Sequence, residues 1–236
     1  MIRVREIRSA SDPAFDAAHR MLRRIFPRAE MMPRRGWIQV LRERDQGLWT
    51  DLNWHLYVAE RAGRIIGAAS GSYLGNVNVG VVGYVAVDTA ARAAGLGPRL
   101  RRALVRGFVR DARDLNGTAL GAVVGEVHGD NPWLRVLVSR HHAIALDFPY
   151  YQPALRGSTK GVSLVMYYEP IGARRRSLPV GEVRRLLYTM WRRAYRVPNP
   201  LANANFRRML RALNGRRRIG SRLPPAPARR ERHAIS

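Results

Sequence analysis

Apolar positions along this chain recur with two periods, and the switches between them mark its elements. Ile2 and Val4 alternate with Arg3 and Arg5, which predicts a half-buried first strand over Ile2–Ile7. Ser11-Asp12-Pro13 signals a helix start, and Phe15, Ala18, His19, Leu22 and Ile25 follow at helical spacing as far as Pro27. His19 on that stripe reads as a packed histidine. After Pro33 a second helical stretch carries Trp37, Val40 and Leu41. Trp54–Glu60 and Ile65–Leu74 read as strands joined by a hairpin turn, and the glycines of the second predict a bulge or a close ligand approach.

The stretch from Val81 to Leu104 organises the rest. Val81, Val82, Val85, Ala86 and Val87 predict a strand buried on both faces. Asp88, Thr89 and Ala90 end it. Arg92, Ala93, Ala94, Gly95, Leu96 and Gly97 form an Arg-x-x-Gly-x-Gly loop, and Pro98 stands where a first helical turn tolerates a missing N–H. Free N–H groups at such a helix start make an anion cradle suited to a pyrophosphate. The Walker A pattern does not fit, because Pro98-Arg99 stand where Lys-Ser/Thr is required. The dinucleotide pattern lacks its third glycine, at Leu100. The following helix is predicted to bury Leu96, Leu100, Ala103, Leu104, Gly107, Phe108 and Leu115. Its opposite face carries Arg99, Arg101, Arg102, Arg106, Arg110 and Arg113 as a solvated basic surface.

Beyond Asn116-Gly117, Thr118–Val127 predicts a fifth strand. Glu126 interrupts its apolar run. A carboxylate there is costly unless paired, and burial raises its pKa toward the working range of a base. Pairing with an arginine is the alternative. His128 points the same way if the strand continues, and is the second candidate base. Asn131-Pro132 starts a helix over Trp133 to about His142. Ile144–Leu155 ends in Pro149-Tyr150-Tyr151-Gln152-Pro153, a rigid non-helical segment presenting two tyrosines. Gly161–Glu169 predicts the last strand of the sheet.

The strand, loop and helix around Val85, Val87, Arg92, Gly95 and Gly97 resemble the acyl-CoA-binding signature of the GNAT superfamily of N-acetyltransferases, and Asp147–Leu155, an Asp-x-Pro-Tyr-x-Gln-Pro-x-Leu segment, resembles one in a less-characterised bacterial branch. The resemblance covers about residues 1–170. It implies an α/β (α+β) fold: a mixed, largely antiparallel GNAT-type sheet of six or seven strands with helices on both faces. It implies acetyl-CoA or another acyl-CoA as acyl donor. The donor would be held by Val85, Ala86, Val87, Arg92, Ala93, Ala94, Gly95, Leu96, Gly97, Pro98 and Asn131, with its pantetheine arm between the fourth and fifth strands. It further implies an acceptor wall built by the early helices, where Trp37, Trp49 and Trp54 either line a pocket or serve as core and rim aromatics. One departure stands out. Val138 occupies the position of the family's helix tyrosine, the usual general acid. Tyr150 or Tyr151 is the candidate replacement.

Composition changes this picture in two respects. There is no cysteine, so disulfides and thiolate metal sites are excluded; His141 and His142 are adjacent on a helix and point apart, so no metal is expected. The net charge is +25, almost entirely arginine. From Ile171 onward eighteen arginines face two glutamates. Residues 171–215 read as a basic helical extension, with helices over Gly181–Arg196 and Asn203–Leu213. Residues 216–236 read as a disordered basic tail. The extension either docks on the core, or on a second subunit in a homodimer, or lies on an anionic membrane. The Met1 end lacks an apolar run, and no stretch is long and apolar enough for a membrane span, so a cytoplasmic protein is expected.

Two readings follow. One is an acyl-CoA-dependent N-acyltransferase acting on a primary amine of a small molecule or peptide, with Glu126 or His128 as base. The other is a non-catalytic or regulatory protein of the same fold, whose basic C-terminal region binds nucleic acid or an anionic membrane surface.

Overall fold

The computed structural model describes residues 1–155 and 161–224, and of residues 92–94 the backbone alone. The chain opens with β1 (Arg3–Ile7), α1 (Pro13–Ile25) and α2 (Arg34–Asp45). Three antiparallel strands follow: β2 (Leu52–Arg61), β3 (Arg64–Leu74) and β4 (Val79–Val87). The long α3 (Leu96–Asn116) crosses over to β5 (Ala122–Val127), so β5 lies parallel to β4. Then come α4 (Pro132–Arg140), β6 (Ile144–Ala145), β7 (Tyr150–Gln152) and β8 (Val162–Pro170). The sheet has eight strands in the order β1-β2-β3-β4-β5-β8-β6, with β7 also pairing to β8. The expectation of six or seven is exceeded because the 144–152 stretch contributes two short strands, the second within the segment read as rigid and non-helical. The last strand is inserted between β5 and β6 rather than added at an edge.

Local chemistry sets the element ends. Asp12 caps α1 by accepting from Ala14 N, ahead of Pro13. Asn131 caps α4 through Trp133 N. Gly117, in the left-handed conformation at φ 63°, closes α3. Strand alternation then distributes the core. Leu56 and Val58 face α1 and α2, whereas Tyr57 and Ala59 face α3.

The C-terminal extension is part of this core. β9 (Leu178–Pro179) leads into α5 (Val180–Thr189), whose last turn widens into a π-helical turn over Met190–Ala194. α6 (Ala204–Ala212) and β10 (Arg218–Ile219) follow. Trp191, Phe206 and Met209 are fully buried in one cluster with Val124, Ile144 and Met166 of the sheet. The helices therefore cover the same sheet face as α1 and α2, and α3 and α4 cover the other. Disorder expected from residue 216 does not hold at 218–221: Arg218–Ile219 pair with β9, Ile219 is fully buried, and Ser221 bridges Leu146. The remaining tail, residues 225–236, lies outside the described residues, as does Lys160.

Candidate functional site

A cleft opens where β4 and β5 part. Their pairing runs from Val79–Ala122 to Val82–Gly125 and ends there. At that point Gly83 is an extra residue on β4, because Ser70 pairs with Tyr84 while Gly71 pairs with Val82. Such a bulge bends its strand and re-aims the backbone beyond it. Asp88 N donates to Ile66 O of β3. Backbone direction alternates along a strand, so Ala86 also spends its N–H on β3, while Val85 and Val87 turn theirs toward the split. Ala86 is thus corrected as a binding residue: its side chain is buried in the α1/α2 core.

The N-terminus of α3 opens into the same cleft. Gly95 stands at its N-cap with φ 62°, a left-handed conformation that favours glycine, and offers no side chain to cap the first turn. No acidic residue occupies that turn. At Gly97 a Cβ would meet nothing within 4 Å, so packing within the chain does not require glycine there. Gly97, Pro98 and Asn131 line the cleft, as does Val85. Leu96 is buried in the core beneath α3 and contributes its backbone. The side chains of Arg92, Ala93 and Ala94 lie outside the described residues. An anion held by helix N–H groups and an extended arm along Val85–Val87 fit these features.

On the opposite face Glu126 is held by two phenols. Tyr150 Oη donates to Oε1, and Tyr195 Oη donates to Oε2 at 2.5 Å. Burial raises the Glu126 pKa to about 7; the two hydrogen bonds favour the carboxylate and restrain that rise, and nearby Glu30 adds to it. Burial likewise pushes both tyrosines well above the usual phenol range, so they are donors at neutral pH. Tyr150 is 1% exposed and stands behind the carboxylate, away from the cleft wall, whereas Tyr195 lines the cleft. From that position Tyr150 meets the carboxylate and does not line the cleft. Tyr151 is corrected altogether. Strand alternation turns it away, and Arg208 stacks on its ring at 5.4 Å. β5 ends at Val127, so His128 does not continue the strand; it sits exposed at the cleft mouth, 3.2 Å from Glu30 Oε1.

Tyr195 was not found from the sequence. It follows the apolar stripe of α5 in a region outside the resemblance, and nothing in its neighbours marks it. The segment carrying it is clasped on two sides. Arg193 pairs with Asp51 and Asn76, and Arg196 pairs with Glu43 of α2.

The remaining walls sort the aromatics. Trp37 and Trp54 line the cleft, with ring centroids 5.3 Å apart. Trp49 does not; it is exposed on the surface, bonded to Glu43 and stacked by Arg193. Arg101 was placed on a solvated face but is buried and paired with Glu169, because β8 brings that carboxylate under α3. Leu115, expected on the buried stripe, is 40% exposed. Val138 packs beside Leu134 and Leu137 in the α4 cluster. Tyr167 of β8, buried and pushed up to about 12 by burial, rises over Gly125, where a Cβ would stand 2.5 Å from its hydroxyl. The whole cavity is about 370 Å³.

A mixed sheet split between two parallel strands, with a glycine loop and a helix N-terminus at the split, is the arrangement that the resemblance to acyl-CoA-dependent N-acetyltransferases implies. The model of the acetyltransferase (GNAT) family matches residues 16–132, and this domain belongs to that family. Its members use acetyl-CoA as donor and acetylate amines. None of the curated proteins matches the sequence significantly. Among solved structures, a protein assigned to the GNAT acetyltransferases from Bacteroides thetaiotaomicron is 17% identical with a TM-score of 0.57, covering 83% of this chain and 99% of its own. An assigned acetyltransferase from Acinetobacter baylyi is 14% identical with a TM-score of 0.50, covering 72% and 93%. The ribosomal-protein-S18-alanine N-acetyltransferase of Escherichia coli is 16% identical with a TM-score of 0.49, covering 74% and 97%. These likenesses concern the fold.

Proposed function

We propose that the protein transfers an acyl group, most simply acetyl, from acyl-CoA to a primary amine by direct attack, with Glu126 as general base. The observation that carries this reading is the position and protonation of Glu126: a carboxyl with pKa raised to about 7 on the cleft wall where β4 and β5 separate. The first turn of α3 and the backbone at Gly97 hold the pyrophosphate. The N–H groups of Val85 and Val87 bind the thioester carbonyl and stabilise the charge that develops on its oxygen. Glu126 takes the first ammonium proton and passes it to solvent at the open cleft. As the C–N bond forms, Glu126 takes the second proton from the nitrogen; as the C–S bond breaks, the Tyr195 phenol donates to the departing sulfur and recovers its proton from Glu126. Tyr150 keeps the carboxylate in place. Holding both reactants in one cleft supplies much of the remaining acceleration.

The alternative, a regulatory protein with a basic binding appendage, draws on Val138. It is disfavoured by packing: α5 and α6 are core elements, and the segment after α5 completes the Glu126 site. Calorimetric binding of acetyl-CoA to the full chain, followed by release of free CoA thiol on adding amines, tests the proposal. Absence of acetyl-CoA binding overturns it.

A further inference from the structure

The acceptor's chemical class follows from the walls on the Glu126 side of the cleft; this step rests on the transferase reading above. We infer that the acceptor is a small primary amine carried on a flat, apolar, aromatic-sized body.

Glu126 shares its strand face with Ala122 and Val124, which lie under the C-terminal helices. Its carboxyl therefore opens toward α1, α2 and the extension, opposite the N-terminus of α3. On that side the wall is built from Phe26, Met32, Leu52 and Trp54, with fully buried Trp37 behind them and Ser70 and Ser72 of β3 beside them. Trp37 and Trp54 meet at an interplanar angle of 53°, and Phe26 stands edge-on to Tyr84 with centroids 5.1 Å apart. A ring entering there gains apolar burial and edge or face contacts with several aromatics. An ammonium at Glu126 is favoured by that carboxylate and by the faces of the rings.

The charges nearby discriminate against other amines. Arg193 and Arg196 at the rim are neutralised by Asp51 and Glu43, and His128 lies against Glu30. An anionic substituent thus finds no free cation among these groups. A polyamine requires several carboxylates and an aminosugar a set of hydroxyl partners; this wall has two carboxylates, Glu126 and Glu30, the second already against His128, and sets Ser70 and Ser72 beside a larger apolar surface. A peptide requires a groove that continues past the reacting amine. Residues 193–196 line the cleft beside Glu126, tied to Asp51 and Asn76 at one end and to Glu43 at the other, with Tyr195 set down on Glu126 between them.

The test uses the full-length chain with acetyl-CoA, following thiol release with phenethylamine, tryptamine, spermidine, kanamycin and peptides beginning with Ala or Ser. Phenethylamine or tryptamine should exceed every other acceptor in kcat/KM by about tenfold or more. Trp54→Leu should raise the KM for tryptamine about tenfold while acetyl-CoA affinity stays within about twofold. Preference for spermidine, kanamycin or a peptide overturns the class and leaves the transferase reading standing. Failure of acetyl-CoA to bind by calorimetry removes that reading instead. If acetyl-CoA binds and no acceptor turns over, equilibrium dialysis of tryptamine decides the matter: saturable binding weakened by Trp54→Leu supports the class, and no saturable binding overturns it.

Discussion

Tyr195 donates its phenolic hydrogen to Glu126 Oε2 at 2.5 Å, although the two residues stand 69 positions apart in the chain. With Tyr150 on the other oxygen, the carboxylate has a donor on each side. This brings the extension into the chemistry of the cleft and directs how the site responds to pH and substitution.

Glu126 must lose its proton to act as a base. Its pKa is raised to about 7, so kcat/KM should climb with pH and level off above that value. Glu126→Gln should lower turnover about 10²–10⁴-fold and flatten the limb, while acetyl-CoA affinity by calorimetry is unchanged. The same shift has a stability sign. The folded state holds this proton more tightly than the unfolded one, so the contribution is complete below the ordinary value of 4.5 and is lost as pH rises through about 7. Thermal melts of Glu126→Gln should lack that loss between these pH values. An unchanged rate would remove Glu126 as the base.

Each phenol favours the ionised form of Glu126, so removing either should move the kinetic midpoint upward by about one pH unit. Tyr195→Phe should also reduce the plateau rate about tenfold or more, because that phenol faces the cleft. Tyr150→Phe should shift the midpoint and largely spare the plateau. pH–rate profiles of the two variants separate the acid from the anchor, and equal plateau losses would contradict the assignment.

Gly97→Trp places a side chain in open space beside the first turn of α3. The thermal midpoint should therefore stay close to that of the unaltered protein, since a Cβ there meets nothing within 4 Å. Acetyl-CoA affinity should fall by about a hundredfold or more, the cost of blocking a backbone anion site. Calorimetry and a melting curve on the same preparation check both outcomes.

His55 lies buried between Glu6 and Asp111, with Nδ1 and Nε2 each 2.6 Å from a carboxylate oxygen. Burial pulls its pKa down, and the two carboxylates together outweigh that and raise it. Burial pushes Glu6 up, and His55 overcomes it to bring Glu6 to about 2. The histidine's contribution is complete below its ordinary value of 6.5 and is lost as pH rises through its raised folded value. Glu6 contributes above its ordinary value of 4.5, and that is lost as pH falls toward about 2. His55→Gln should cost about 3–5 kcal/mol near neutrality, chiefly by leaving buried Asp111 without its cation, while Glu6 keeps Arg8 and Arg110. Denaturant melts across pH check the magnitude and the window.

The strand, glycine loop and helix start at the split between β4 and β5 were legible along the chain. The valine-rich strand, the glycine loop and the helix after it depend on neighbours within a few residues, and periodicity and turn chemistry report such neighbours directly. Glu126 was legible for a related reason: a charge in an apolar strand carries a desolvation cost wherever the strand is buried. The arginine face of α3 misled at Arg101, because its partner Glu169 is supplied by β8. The tyrosine pair misled in part, because adjacent residues of a strand face opposite ways and only Tyr150 meets the carboxylate.

Sequence alone carried the main helices and strands of the core, the glycine loop ahead of α3 and the costly carboxylate, all of which arise from local backbone preference and the desolvation of a buried charge. Packing decided the rest. Insertion of β8 between β5 and β6 set which tyrosine reaches Glu126, and docking of α5 and α6 on the sheet delivered Tyr195 and clasped residues 193–196 over the cleft. The physical reason is that contacts between residues far apart in the chain follow from how whole apolar faces find one another, and no single stretch encodes that meeting.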